Sequence, residues 1–200
     1  MPGNYRIRRN DLNKIKFGIK NVYYAAVTSV SSTGSLTYAT PVAMPGAVSL
    51  SLSIQGDTST FYADNIAYWT ANANNGYQGD LELALIPDAF RTAILGETLD
   101  AKGFYVERSD DKQKEFALLF QFEGDENATR HCLYRCSASR PEVSGSTQQE
   151  SIEPQTETLT LTAMARINDS VVKARAPYTA STTSSYASWF SAVQEPTVTP

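Results

Sequence analysis

Apolar and polar side chains alternate strictly, one for one, in several separated stretches of this chain, and a pleated strand with one buried face is the local structure with that period. Val48, Leu50, Leu52 and Ile54 alternate with Ser49, Ser51 and Ser53, and Leu81, Leu83 and Leu85 alternate with Asp80, Glu82 and Ala84. Phe116, Leu118, Phe120 and Phe122 alternate with Ala117, Leu119, Gln121 and Glu123, and Leu159 and Leu161 are set among Thr158, Thr160 and Thr162. Each run predicts a strand with its leucines and phenylalanines turned inward. The echo between SLSLS and TLTLT reflects this shared logic, being too short to mark a duplication.

The remaining elements follow from punctuation. Residues 22–30 read as a strand, 31–35 with Gly34 as a turn, and 36–40 as the hairpin partner, after which Pro41 and Pro45 break the pattern. Gly56 and Asp57 interrupt the first alternating run, residues 61–70 resume as one aromatic-rich strand, and 72–79 form a turn cluster. Pro87, Asp88 and Gly96 stand where helix start and stop signals belong, predicting a short helix over 87–95 that docks through Phe90 and Ile94. Short strands are expected at 104–108 and 171–176, with 109–114 a charged turn, 124–127 another turn, and 130–137 the antiparallel partner of 116–123. Tyr186, Trp189, Phe190 and Val193 recur at helical spacing, with Thr183 or Ser184 as the cap, so a C-terminal helix is expected to pack on the sheet. The resulting organisation is a flexible, basic arm at 1–16, one mainly β domain at 17–195 with a long polar loop at 139–156, and a tail at 196–200.

Chemistry narrows the function by exclusion. A chain of 200 residues at net charge −4 can bury one good core, or at most two small ones, but lacks the basic face that grips phosphates. No apolar run has the roughly 18 residues a membrane helix needs. Arg6, Arg8 and Arg9 are not followed by an apolar run, so no secretory signal is expected and assembly in the cytoplasm is. Cys132 and Cys136 would stand about 13 Å apart along a strand, too far to bridge, which predicts two free thiols. His131 is the single histidine, and with the two cysteines it matches no zinc spacing. The pairs Asp57 with Asp64 and Asp125 with Glu126 lack a calcium-loop register and read as solvated turns. The sequence has no phosphate-cradling glycine loop, nucleophile elbow or dinucleotide fingerprint. Asn127-Ala128-Thr129 and Asn168-Asp169-Ser170 fit the glycosylation sequon by accident if the chain stays inside the cell. Catalysis, a metal and a cofactor are therefore all unexpected. Tyr23, Tyr24, Tyr62, Tyr68, Trp69 and Tyr77 are expected in the core or at subunit interfaces, with a sugar-binding platform as the alternative.

Long runs in order, FGIKNVYYAAV from Phe17, PGAVSLSLSIQGDTSTFYADNIAYWTANANNGYQGDLELALIPDAFRTAILG from Pro45, FALLFQFEGDENATRHCLY from Phe116 and ESIEPQTETLTLTA from Glu150, closely resemble the major tail proteins of the phi13 family of long-tailed bacteriophages. The likeness spans about 17–193. It implies a tail-tube β-sandwich or barrel with a flanking helix at 87–95, hexameric rings stacked head to tail around an inner barrel, and a place in the virion tail. It further implies a tape measure protein, a tail terminator and a distal tail protein as partners, and DNA passing through the lumen without specific binding during ejection into the host. On that reading Asp80, Glu82 and Glu123 are the leading lumen-facing candidates, followed by Ser49, Ser51, Ser53, Gln121, Thr158, Thr160 and Thr162, facing lumen or solvent. The tube of a contractile tail or of a secretion-type system is the near alternative, and a carbohydrate-binding β-sandwich module the distant one.

Overall fold

A computed structural model describes residues 16–123, 128–147, 154–179 and 181–197. Its strands are β1 (Phe17–Val30), β2 (Leu36–Tyr38), β3 (Val42–Ala43), β4 (Ala47–Ile54), β5 (Thr58–Ala63), β6 (Ile66–Asn72), β7 (Tyr77–Leu83), β8 (Thr98–Leu99), β9 (Tyr105–Val106), β10 (Phe116–Glu123), β11 (Arg130–Ala138), β12 (Glu157–Met164) and β13 (Lys173–Ala176). Helix α1 (Asp88–Phe90) runs into a π-helical turn (Arg91–Leu95), and α2 (Thr183–Ala187) lies near the C-terminus.

One antiparallel sheet dominates, in the order β2-β1-β10-β11-β12-β7-β4, with β3 beside β1 and β13 beside β11. Connectivity shows that it is curled. The chain passes from β3 at one end to β4 at the other through only Met44, Pro45 and Gly46. Four peptide steps reach at most about 14 Å, whereas the ends of a flat sheet of this width would stand about 29 Å apart. The fold is thus mainly β, a sheet wrapped barrel-like around its leucine face.

Inside the wrap lie Leu81, Leu83, Leu118, Leu159 and Leu161, all buried as alternation predicts, with Leu133 of β11 among them. The expected helix plugs this core: Phe90 and Ile94 have no exposed surface, and Phe90 meets Tyr24 and Phe116 edge-on at 5.0 and 5.3 Å. Gly96 ends it in the left-handed conformation, φ 94°.

A second core lies on the outer side of β1, β10 and β11, where Ala25, Ala117, Leu119, Cys132 and Tyr134 are covered by Trp189, with Phe190 stacked on Tyr23 at 4.8 Å. The C-terminal segment is tied down by the Tyr134 hydroxyl, which donates to the Gln194 carbonyl at 2.7 Å. Buried Arg166 holds Glu195 at 3.5 Å, pairs with Asp169 and lies over the Tyr134 ring.

Several expectations are corrected. β1 starts at Phe17 rather than 22, because its ladder with β10 continues to Glu123. Val48 is exposed: a register shift between Ala47 and Ser49 makes it a bulge residue. Ile54 and Leu85 are exposed too, one at the end of edge strand β4 and the other beyond the last ladder pair of β7. Residues 61–70 are the two strands of a hairpin, since Asp64 and Asn65 (φ 50° and 63°) make a tight reversal between β5 and β6. The strands at 104–108 and 171–176 shorten to β9 and β13. The C-terminal helix ends at Ala187 with Thr182 at its N-cap position, and Trp189 and Phe190 reach the sheet from the turns that follow. Serine hydroxyls that bond back onto the helix, such as Ser188 Oγ to the Ser184 carbonyl at 3.1 Å, explain the early stop. The arm at 1–16 lies outside the described residues except Lys16, as does part of the loop at 139–156, whose described residues carry no strand or helix.

Candidate functional site

The registers of β4, β7 and β12 bring most of the predicted polar residues onto one face. Ser49 pairs with Glu82 and Glu82 with Thr158; Ser51 pairs with Asp80 and Asp80 with Thr160; Ser53 pairs with Gln78 and Gln78 with Thr162. Cross-strand partners share a face, so these three rows form a single patch, and Ser137, opposite Thr162 on β11, extends one of them. The rows contain hydroxyls, amide and carboxylates and no basic residue.

The patch is internally bonded. Ser49 Oγ and Thr156 Oγ1 donate to the two oxygens of Glu82 at 2.8 and 2.7 Å, and Thr160 Oγ1 donates to Asp80 at 2.8 Å. The hydroxyls of Thr156 and then Ser49 hold the Glu82 carboxyl below its ordinary range, so it stays ionised at neutral pH. Unlike the outer side of β10 and β11, this face has nothing packed over it among the described residues: Ser49, Ser51, Ser53, Asp80 and Thr158 are exposed, and Glu82, Thr160 and Thr162 half-exposed.

Two predicted candidates do not belong. Gln121 is buried, its amide oxygen accepting from Asn21 Nδ2 at 3.3 Å, because β10 is covered on both sides. Glu123 is exposed at the end of β10, separated from β12 by β11, and its charge is matched by Lys20 at 2.7 Å. Gln78, Ser137 and Thr156 were not predicted. Gln78 falls in the stretch expected to be a turn, 72–79, but β7 starts at Tyr77 and alternation with Asp80 and Glu82 then sets it on this face; the other two depend on the tertiary fold.

The remaining chemistry-bearing side chains are engaged elsewhere. His131 stacks on Phe120 at 5.1 Å. Cys132 and Cys136 are free and buried, in different cores, because a bulge on β11 between Leu133 and Cys136 reverses the facing. Among the described residues, no group of three His, Cys, Asp or Glu side chains could hold a metal, and no helix is long and apolar enough to cross a membrane. Asp57 and Asp64 lie exposed on turns, whereas Asp125 and Glu126 fall outside the described residues.

Of the aromatic residues, Tyr24 is buried and Tyr23 and Tyr77 are half-buried, but Tyr62, Tyr68 and Trp69 stand exposed on the β5–β6 hairpin with Phe61 and Ile66. A cavity of about 380 Å³ opens elsewhere, between Leu50 and Leu52 on one wall and Phe120, Phe122 and Leu133 on the other. Lys173 and Lys16 border it, over the Tyr77 and Phe122 rings at 4.4 and 4.6 Å.

No protein-family model matches this sequence, and no curated protein matches it.

Proposed function

We propose that this chain is a major tail-tube subunit that self-assembles into stacked hexameric rings and forms the conduit for DNA in a long bacteriophage tail. The uncovered, base-free face of β4, β7 and β12 is the observation that carries the reading. Duplex DNA bears about one charge per 1.7 Å, and a wall of lysines would exchange its counterions and hold it. A wall of serine and threonine hydroxyls with Asp80 and Glu82 instead repels a polyanion within a Debye length of about 8 Å, so the duplex slides. The position of the face fits this use. It borders the edge strand β4, whose outer side has no ladder partner among the described residues. Adding a neighbouring copy at that edge continues the polar surface from subunit to subunit and removes an exposed edge. The terminator, tape measure and distal tail proteins are the partners this role brings with it, and the same arrangement would serve the tube of a contractile tail or secretion-type system.

Negative-stain microscopy of the purified protein tests the reading. Rings or tubes with a central bore are expected, and a species that stays monomeric at high concentration overturns it. The bore's chemistry is tested by Asp80→Lys with Glu82→Lys: the assembled variant should retain duplex DNA in filter binding, lose it as salt is raised, and differ in this from wild type. The exposure of Tyr62, Tyr68 and Trp69 supports a second reading, a glycan-binding module. Glycan-array binding lost in Trp69→Ala, with assembly unchanged, would favour it.

A further inference from the structure

We infer that the open mouth of the curled sheet is a binding site for a small amphipathic anion, a medium-chain carboxylate, with its apolar body among Leu50, Leu52, Phe120 and Phe122 and its head between Lys16 and Lys173. The site opens on the inner side of β4, the reverse of the polar face, and does not depend on self-assembly. It exists because the interior is filled at one end only. Along β10, Phe116 meets Phe90 of the helix at 5.3 Å, whereas Phe120 and Phe122 further on line the cavity. At about 3.3 Å per residue, Phe122 stands about 20 Å beyond Phe116, out of the helix's reach. The inward positions of β7 are Leu83, Leu81, Gly79 and Tyr77, so leucine packing stops where Gly79, the partner of both Leu52 and Leu161, brings no side chain. Leu50 and Leu52 are left half-buried. Barrels of about eight strands enclose room for one small ligand, and their mouths are a preferred place for such sites. The volume of about 380 Å³ lies at the lower end of the range for small-molecule sites, which suits a single chain.

Charge specifies the ligand. Lys16 and Lys173 border the cavity, both exposed and neither with a carboxylate partner among the described residues, and no aspartate or glutamate lines it. Lys173 is the cross-strand partner of inward-facing Leu133, so it lies on the inner face of β13. Arg175, the partner of His131, follows on the same face, exposed and likewise without a carboxylate partner among the described residues. In a chain of net charge −4, three cations gathered at one apolar opening with no acid among them favour an anion there. The two ammoniums rest on rings that themselves line the cavity, Lys16 on Phe122 and Lys173 on Tyr77, and each keeps donors free on its outer side for a carboxylate. His131, stacked on Phe120 at 5.1 Å and edge-on to Phe122 at 5.6 Å, stiffens the aromatic wall. The apolar walls take the chain of the ligand and the lysines its head, a division that neither a simple ion nor a neutral hydrocarbon satisfies.

Isothermal titration of the full-length protein with decanoate tests the site, at a protein concentration where sedimentation velocity shows a single species. Saturable binding of one decanoate per chain is expected below the micelle concentration. Decanol, with the same chain and no charge, should bind at least about tenfold more weakly, and acetate, with the charge and no chain, should not bind measurably. Lys16→Gln with Lys173→Gln, both surface changes, should weaken decanoate by about tenfold or more and leave decanol unchanged. Leu52→Trp, checked for fold by circular dichroism and urea midpoint, should fill the cavity and abolish binding of both; if it does not fold, the lysine pair decides alone. The site is overturned if wild type shows no saturable decanoate binding, if decanoate and decanol bind equally, or if the lysine pair leaves decanoate affinity unchanged. Self-association lost in the lysine variant, with no decanoate bound by wild type, would give the cavity to a second copy of the chain and overturn it as well.

Discussion

At the scale of single residues, two positions carry outcomes that can be measured directly. Gly79 faces the backbone of β4 so closely that an added Cβ would overlap the Ser51 carbonyl, and backbone cannot swing aside. Gly79→Ala is therefore expected to cost about 1–3 kcal/mol, read as a lowered urea midpoint, because it pries β7 from β4. Cys136 has no exposed surface, and burial pushes its thiol from 9.0 up to about 12. The raised value means that the folded state prefers the neutral thiol. The contribution is full below pH 9, declines above it as the unfolded chain's thiol ionises, and is gone by about pH 12. Cys136→Ala should flatten that alkaline loss in a pH series of urea midpoints. In the native protein both thiols should resist a thiol reagent at pH 8 and react together on unfolding.

At the scale of elements, the hairpin and the helix show how local chemistry overrides a periodicity argument. The aromatic run at 61–70 has strand composition throughout, yet it reverses in the middle because Asp64 and Asn65 both tolerate the left-handed region that a tight hairpin turn requires. Asn65→Val places a β-branched side chain at φ 63° and is expected to loosen the hairpin by about 1–2 kcal/mol, whereas Asn65→Gly leaves it intact. Amide exchange in β5 and β6 separates the two outcomes while the main sheet stays protected. The helix at 87–95 was legible from Pro87, Asp88 and Gly96; its π-helical second turn was not. Thr92 Oγ1 bonds to the Asp88 and Ala89 carbonyls at 3.0 and 3.2 Å there, and Phe90, Ile94 and Leu95 all reach the core.

For the whole molecule, the division of the sheet's outer side into a covered half and an open half is the decisive feature. The C-terminal segment covers β1, β10 and β11 through Trp189, Phe190 and the Arg166 tie, whereas among the described residues the outer side of β12, β7 and β4 stays open. Trp189→Ala should cost about 3–5 kcal/mol and expose the second core. Cys132, beneath that cover, should then react with a thiol reagent in the native state while Cys136, in the inner core, stays protected. Equal reactivity of the two would mean that the segment does not act as a separate cover.

Alternation by itself determined the four alternating strands, the inward facing of Leu81, Leu83, Leu118, Leu159 and Leu161 and the polar chemistry of Ser49, Ser51, Ser53, Asp80, Glu82, Thr158, Thr160 and Thr162, because facing along a strand is a local property of the pleat. Only tertiary structure decided that these residues form one patch, since strand order and register join segments about 30 to 110 positions apart. It likewise buried Gln121 under a second layer and set Glu123 against Lys20, because the partner that covers or neutralises an outer face is supplied by another part of the chain, beyond the reach of any local period.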